Sequence, residues 1–330
     1  MYTEEDLASA VKAGVLTEET AAAFRAHVAQ LANASAVDEE HFRLVTGFND
    51  IFVVIACALL LVSVGWIGAV VAPWLGAVAA SIAAWALAEF FVRKRRMALP
   101  AIVLLLAFVG GVFGAGVLFL ENTNSHFVVA SALAAAAAWL HWLRFRVPIT
   151  VAAGAAAVVS CVVALLLATA PEAANWTTAI SFIAGIAVFA LAMRWDMADR
   201  LRQTRKSDVA FWLHLLAAPL IVRPVFAALG VMDGEADLWQ AIAVVALYVA
   251  IALISLAIDR RALMVSALIY VLYTFSALLS QYGGVSLSFA ITGLTIGSAL
   301  LLLSAFWHTT RAFILSRLPS AVQDRLAPNR

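Results

Sequence analysis

The sequence predicts an all-α, polytopic membrane helix bundle, and three observations carry that reading. Of 330 residues, 65% are apolar and 12% are charged, whereas a soluble domain is about half apolar and about a quarter charged. A water-soluble fold of this size cannot hide so much apolar surface. Apolar runs recur along the chain at about the 20 residues needed to cross about 30 Å of hydrocarbon. Finally, the loops between these runs alternate between arginine-rich and acidic, as the loops on the two sides of a membrane should.

Ten segments qualify as spans, near 51–72, 74–92, 99–120, 127–143, 148–170, 176–193, 209–230, 238–258, 262–281 and 285–307. Pro73 stops the first and makes a tight turn with Ala72 and Trp74, because proline cannot continue a helix behind it. One set of loops holds Arg93, Lys94, Arg95, Arg96, then Arg144 and Arg146, then Arg194, Arg200, Arg202, Arg205 and Lys206, then Arg260 and Arg261. The alternate set holds Glu121, Glu172, Asp233, Glu235 and Asp237, with no arginine or lysine. Apart from Arg223, every basic residue lies in the first set or at a terminus. A missed span would invert every later loop and scramble this order. The expected topology is therefore ten spans with both ends in the cytoplasm, in an inner (cytoplasmic) membrane. The 18 arginines against 3 lysines fit a GC-rich bacterial genome. A net charge of +1 gives no reason to expect a nucleic-acid partner; the lipid bilayer is the expected one.

Residues 1–47 are expected to form a cytoplasmic helical hairpin, residues 48–308 the bundle, and residues 309–330 a cytoplasmic tail with a short interfacial helix from Arg311 to Leu318. Thr3 and Thr17 are suited to cap the hairpin's two helices, with Glu18 and Glu19 in the first turn of the second. Phe24, Val28 and Leu31 share one apolar face, against which Leu7 and Val11 can pack. The segment from Leu7 to Phe24 reads LASAVKAGVLTEETAAAF. Over residues 4–31 and the start of the first span, the chain resembles a bacterial family of predicted multi-spanning membrane proteins classed as a domain of unknown function. That resemblance implies a short N-terminal cytoplasmic segment ahead of a series of spans. It implies no activity.

Most of the polar residues in the spans have a packing explanation. Gly110, Gly111, Gly114 and Gly116 in the third span, and Gly293 and Gly297 in the tenth, let helix backbones approach closely. Glu89 and Arg93, four apart, place an acid and a base on one helical face. His126, His141 and His308 sit at span ends, where histidine and tryptophan are comfortable. No two histidines have ligand spacing on a helix, so no metal is expected, and no cofactor is expected either. Cys57 and Cys161 read as small core residues.

Two regions are candidates for a substrate-binding site. On the ninth span, Tyr270, Tyr273, Thr274, Ser280 and Gln281 form a stripe, suited to helix–helix hydrogen bonds or to the lining of a polar cavity. On the seventh, FWLHLLAAPLIVRPVF holds His214, Pro219, Arg223 and Pro224. The prolines free the carbonyls of Leu215 and Leu220 and are expected to break the helix, as discontinuous helices do at many transporter sites. An arginine at membrane depth costs about 2.5–3.5 kcal/mol on insertion scales. Arg223 is expected either to reach towards Asp233, Glu235 or Asp237 or to face the interior and bind an anionic group. His214, about half a turn round the helix from Arg223, can share a cavity with it only if the helix breaks at Pro219.

Two function classes follow. One is a transporter or permease for a solute, an anionic one if Arg223 binds it; ten spans divide into two five-span halves of opposite orientation, a common transporter plan. The other is a non-transporting scaffold, sensor or assembly factor whose residues 1–47 bind a cytoplasmic protein. No nucleophile–base pair marks an enzyme. The topology is testable by cysteine labelling. Positions near Glu121, Glu172 and Asp237 should react with an impermeant reagent from outside and positions near Arg95, Arg202 and Arg261 should not; a reversal within either group would overturn the count.

Overall fold

The computed structural model describes residues 4–24, 48–121, 125–200, 202, 204–230, 238–282, 294, 297, 298, 301 and 306–327. All secondary structure among them is helical. The chain divides into two compact units, residues 1–42 and 43–330.

In the first unit, α1 covers Glu4–Lys12. Gly14 follows with φ +72°, a left-handed conformation that glycine adopts without a Cβ penalty. Residues 18–24 are helical again, and the Thr20 amide donates to Thr17 Oγ1 at 3.1 Å, the expected cap. Leu7 and Ala21 are buried, whereas Phe24 is exposed. Thr3, Val28 and Leu31 lie outside the described residues.

The second unit is a helical bundle. Its helices are α2 Phe48–Val71, α3 Pro73–Ala88, α4 Ala98–Phe119, α5 His126–Phe145, α6 Ile149–Thr169, α7 Thr177–Met197, α8 Arg205–Ala228, α9 Leu238–Ile258 and α10 Ala262–Tyr282; α11 Trp307–Leu315 and the short α12 Ser320–Gln323 follow. Among the described residues, seven helical segments, those built on α2 to α8, are long and apolar enough to cross a membrane. Helices α9 and α10 coincide with the expected eighth and ninth spans. Most of the expected tenth lies outside the described residues. Large apolar side chains such as Trp66, Ile67, Val70, Trp139 and Ile183 are exposed, which suits lipid as the solvent. Inward faces carry small residues instead: Ala84, Ala88, Ala130, Ala138, Ala192, Ala210 and Ala217 are all buried.

Ala72 is extended and Pro73 opens α3 at its first position, where its missing N–H costs nothing. Several hydroxyls inside the early spans are satisfied locally. Ser63, Ser81 and Ser131 each donate to the carbonyl four residues back, so they enter lipid without an orphaned donor.

Helices α2 to α6 pack as consecutive neighbours, and α8 packs on α7, α10 and α6, joining the early helices to the late ones. Half of the α8 window is buried, against 11% for the first span, so α8 is the hub. It also runs unbroken through Pro219 and Pro224, which corrects the expected break. Carbonyls left free by the prolines are tolerated where neighbouring helices pack closely. The closest such approach is at Gly185 of α7. A Cβ there would lie 2.9 Å from the Leu220 carbonyl carbon and 2.8 Å from Ile221 Cγ1. Of the third-span glycines, Gly111 lies against Ser81 and Gly116 against Ala130, whereas Gly110 faces open space. The expected packing role therefore holds for two of them.

The C-terminal region holds a short helix that overlaps the expected Arg311–Leu318 segment. Helix α11 starts at Trp307, and both Trp307 and Arg311 are buried within the unit. Beyond it, Leu326 is buried in the same apolar cluster as Phe226 and Val244.

Gly185→Ala should destabilise the bundle by about 1–3 kcal/mol, the cost of forcing an extra methyl into a packed site. Gly110→Ala should be neutral or mildly stabilising, because its Cβ meets nothing within 4 Å. Thermal unfolding of both variants in one detergent checks this; equal midpoints would refute the close α7–α8 contact.

Candidate functional site

The arginine-rich ends of α7 to α10 converge on a buried network of charges. Asp196 lies in the last turn of α7, Ser207 and His214 on α8, and Arg260 in the turn after α9. Arg260 Nη2 donates to Asp196 Oδ1 at 2.6 Å and its Nε to Oδ2 at 3.3 Å, a two-armed pair. Nη2 also donates to the Ser207 carbonyl at 3.2 Å and to Ser207 Oγ at 3.1 Å. His214 Nε2 lies 2.9 Å from Asp196 Oδ2. Because the carboxylate accepts, Nε2 carries the proton in this contact. His214 is fully buried, about 14 Å along the helix from its first residue, Arg205. Phe189 covers its ring edge-on, and Nδ1 is buried with no hydrogen-bond partner among the described residues.

A second knot adjoins the first. Arg202 Nη1 donates to Asp259 Oδ2 at 2.8 Å, while its Nη2 donates to the carbonyls of Ile258 and Asp259 at 3.2 and 3.0 Å. Those carbonyls end α9 and have no helical donor of their own, so Arg202 caps the helix as well as pairing with Asp259. Trp307 Nε1 donates to Asp259 Oδ1 at 2.9 Å, with Arg311 Nε 3.5 Å from the same oxygen. Arg311 Nε also donates to the Leu256 carbonyl at 3.2 Å. The Arg261 guanidinium lies over the Trp307 ring, 4.6 Å from its centroid. Burial pushes the Arg202 guanidinium down from its ordinary value; the nearby Arg260 charge acts in the same sense, and Asp259 and Asp196 oppose it.

The backbone turns that present these groups are constrained. Among the described residues, the non-glycine residues with positive φ are Arg96, Arg146, Arg202 and Asp259, at 52° to 59°. All four lie in the arginine-rich loops. Each holds a conformation that ordinarily costs about 1 kcal/mol or more unless its surroundings fix it. Arg202 and Asp259 are fixed by their mutual ion pair.

The sequence-predicted residues fall in different places. His214 enters the network. Arg223 is exposed, on the side of the unbroken α8 away from His214, so the two do not share a cavity; Asp233, Glu235 and Asp237 lie outside the described residues. Tyr270 stacks on Phe226 at 4.7 Å. Thr274 is buried and Tyr273 is 41% exposed, so they do not line one space. The surroundings of the Gln281 side chain lie outside the described residues. Glu89 meets Arg93 at 3.3 Å as expected, and it also takes two bonds from Arg144 of α5, at 2.6 and 3.0 Å. His141 is fully buried, with Nδ1 3.2 Å from Thr150 Oγ1. It packs among Trp85, Phe108 and Phe145. No group of metal-ligating side chains occurs among the described residues.

Sequence reasoning missed Asp196, Asp259, Arg202, Arg260, Trp307 and Arg311. Their signal was present: Asp196, Asp199, Asp208 and Asp259 lie within or beside otherwise arginine-rich loops. No family model, curated protein or solved structure matches the chain.

Removing one partner of a buried pair leaves an uncompensated charge. Arg260→Leu and Asp196→Leu should each therefore cost about 3–5 kcal/mol, with the double variant recovering most of the loss. Arg223→Leu should leave stability within about 1 kcal/mol, as an exposed substitution does. Chemical denaturation in mixed micelles compares the four; additive losses in the double variant would refute the pairing.

Proposed function

We propose that the chain is a ten-span, multi-pass protein of a bacterial inner membrane with both ends in the cytoplasm, and that it moves a small anionic solute together with protons. The observation that carries this reading is the His214–Asp196–Arg260 group, in which a fully buried His214 of α8 meets the end of α7 and the turn after α9. Ionisable side chains at such positions are costly and are commonly kept for ion or proton handling. His214 and Asp196 are both proton-exchanging groups 2.9 Å apart, and Arg260 keeps the carboxylate charged. Protonation of His214 Nδ1 would place a second positive charge beside Asp196. It would thereby loosen the Arg260 contact that ties α7 to the α9–α10 turn. A proton would then bias the packing of one helix pair against another, which is the coupling that a proton-linked carrier needs. The loop charges support the orientation, since arginine gathers on the cytoplasmic side.

The alternative is a scaffold or sensor that docks a cytoplasmic protein through residues 1–47. The two are separable by reconstitution. Vesicles with a trapped pH dye should show proton movement when a gradient of chloride, phosphate or acetate is imposed. His214→Gln should reduce that movement at least tenfold without changing the amount of folded protein. If none of these anions moves protons above protein-free vesicles, the transport reading fails and the docking reading stands.

A further inference from the structure

The C-terminal segment has carbonyl oxygens where an anion's oxygens would be expected. Arg200 Nε donates to the Leu326 carbonyl at 3.1 Å, and Arg311 Nη2 to the Ala327 carbonyl at 2.6 Å. Both carbonyl-bearing residues line a cavity of about 10 Å³, with Met193, Asp196, Arg202, Ile258 and Arg325, room for about one water. The Arg202 side chain is 8% exposed, and its Nε is buried with no hydrogen-bond partner among the described residues. A guanidinium N–H without an acceptor is costly to bury, and this one belongs to a residue of the cavity wall. The acid in that wall, Asp196, is already bonded by Arg260 and His214.

We propose that this pocket is a phosphate-group site and that residues 319–327 sit in it as a displaceable plug. Arg202 lines the pocket, and Arg200 and Arg311 hold the carbonyls of two further lining residues, Leu326 and Ala327. Arginine's planar fork suits phosphate oxygens, and an ionised oxygen adds a charge–charge attraction to the guanidinium that a neutral carbonyl lacks. The plug is lightly held. Helix α12 has no buried residue, residues 320–325 are exposed, and Leu326 is the buried anchor. The cavity admits no phosphate while the plug is seated, so binding and release of the segment are one event. The pocket lies at the arginine-rich helix ends, where a bilayer places its headgroups. The phosphate group can therefore belong to an anionic phospholipid or be free in solution.

Tryptic release of the C-terminus from the full-length protein measures the plug directly, because Arg317 and Arg325 are exposed. The protein is reconstituted in phosphatidylcholine vesicles, in vesicles that also contain phosphatidylglycerol, or in phosphatidylcholine with added inorganic phosphate. Phosphatidylglycerol should speed cleavage after Arg325 by about tenfold, the effect of exchanging a neutral acceptor for an anionic one on a single guanidinium. If phosphate alone gives that acceleration, the free anion is the ligand. Arg202→Gln should abolish the acceleration, since the Arg202 bonds go to Ile258 and Asp259 and not to the plug, and the residue would act on the ligand. Arg200→Gln, at an exposed position, keeps the test sound if the buried variant misfolds; it should raise basal cleavage and shrink the acceleration. The proposal is overturned if neither additive changes the rate, if acceleration persists in Arg202→Gln, or if Arg200→Gln cleaves like the parent.

Discussion

The late half of the bundle depends on one buried guanidinium. Arg260 stands in the turn after α9, 2% exposed in its side chain, where an unpaired charge would be several kcal/mol too costly to keep. Its neutralisation needs Asp196 from the end of α7 and Ser207 from the first turn of α8. The end of α7, the start of α8 and a turn more than fifty residues further on are therefore held in one register by a single side chain. An apolar contact can slide by a turn at small cost, because lipid tails are as apolar as the helix surface. A two-armed Arg–Asp pair cannot, since it has one productive geometry. Packing then follows from that register: α7 lies on α8 closely enough that Gly185 meets the Leu220 backbone.

This division of labour fits a membrane solvent. The hydrophobic effect drives helices into lipid but does little to choose their neighbours. Neighbour choice falls to small residues, which set how close two helices come, and to polar contacts, which set direction. Among α2 to α6 the first kind predominates, with Gly111 against Ser81 and Gly116 against Ala130; the Glu89–Arg144 pair adds a tie at the helix ends. Among α7 to α11 the second kind predominates. Helix α8 touches both groups, which explains why its window is the most buried of the seven although it carries two prolines.

The fold was legible where one segment carries its own signal. Span length, the Pro73 turn and the Thr17 cap are all local, and α2 to α10 lie on the segments that span length marks. The charge network was not legible, because it joins residues such as Arg202 and Asp259, 57 positions apart, or Asp196 and Arg260, 64 apart. In a sequence, an arginine in a loop reads as a marker of membrane side, and most such arginines do face water. Nothing local separates Arg194, which is exposed, from Arg202, whose side chain is 8% exposed. The usable clue was the company of acids: a loop that only marks a side has no need of Asp196 or Asp259. Arg223 attracted attention because it is alone in its span, yet a long side chain near a helix end can reach outward along the surface. Solitary position measured its visibility in the sequence better than its burial.

Backbone conformation separates the two uses of arginine at this end of the bundle. Arg96 and Arg146 adopt positive φ in tight turns after their helices, with side chains at the surface. There the left-handed residue serves the turn, and glycine or asparagine would serve it as well. Arg202 adopts the same conformation while its guanidinium is bonded to Asp259, itself at φ +59°. Two strained residues that hold each other through a buried ion pair form one unit, because release of either pair or turn relaxes the other. Trp307 and Arg311 bear on the same carboxylate, so the position of α11 is tied to that unit. A ligand that competes for Arg202 or Arg311 would act on the α9–α10 turn and on the C-terminal segment together. The arrangement thus joins the membrane helices to the chain's end through charges whose alternative partners are anions.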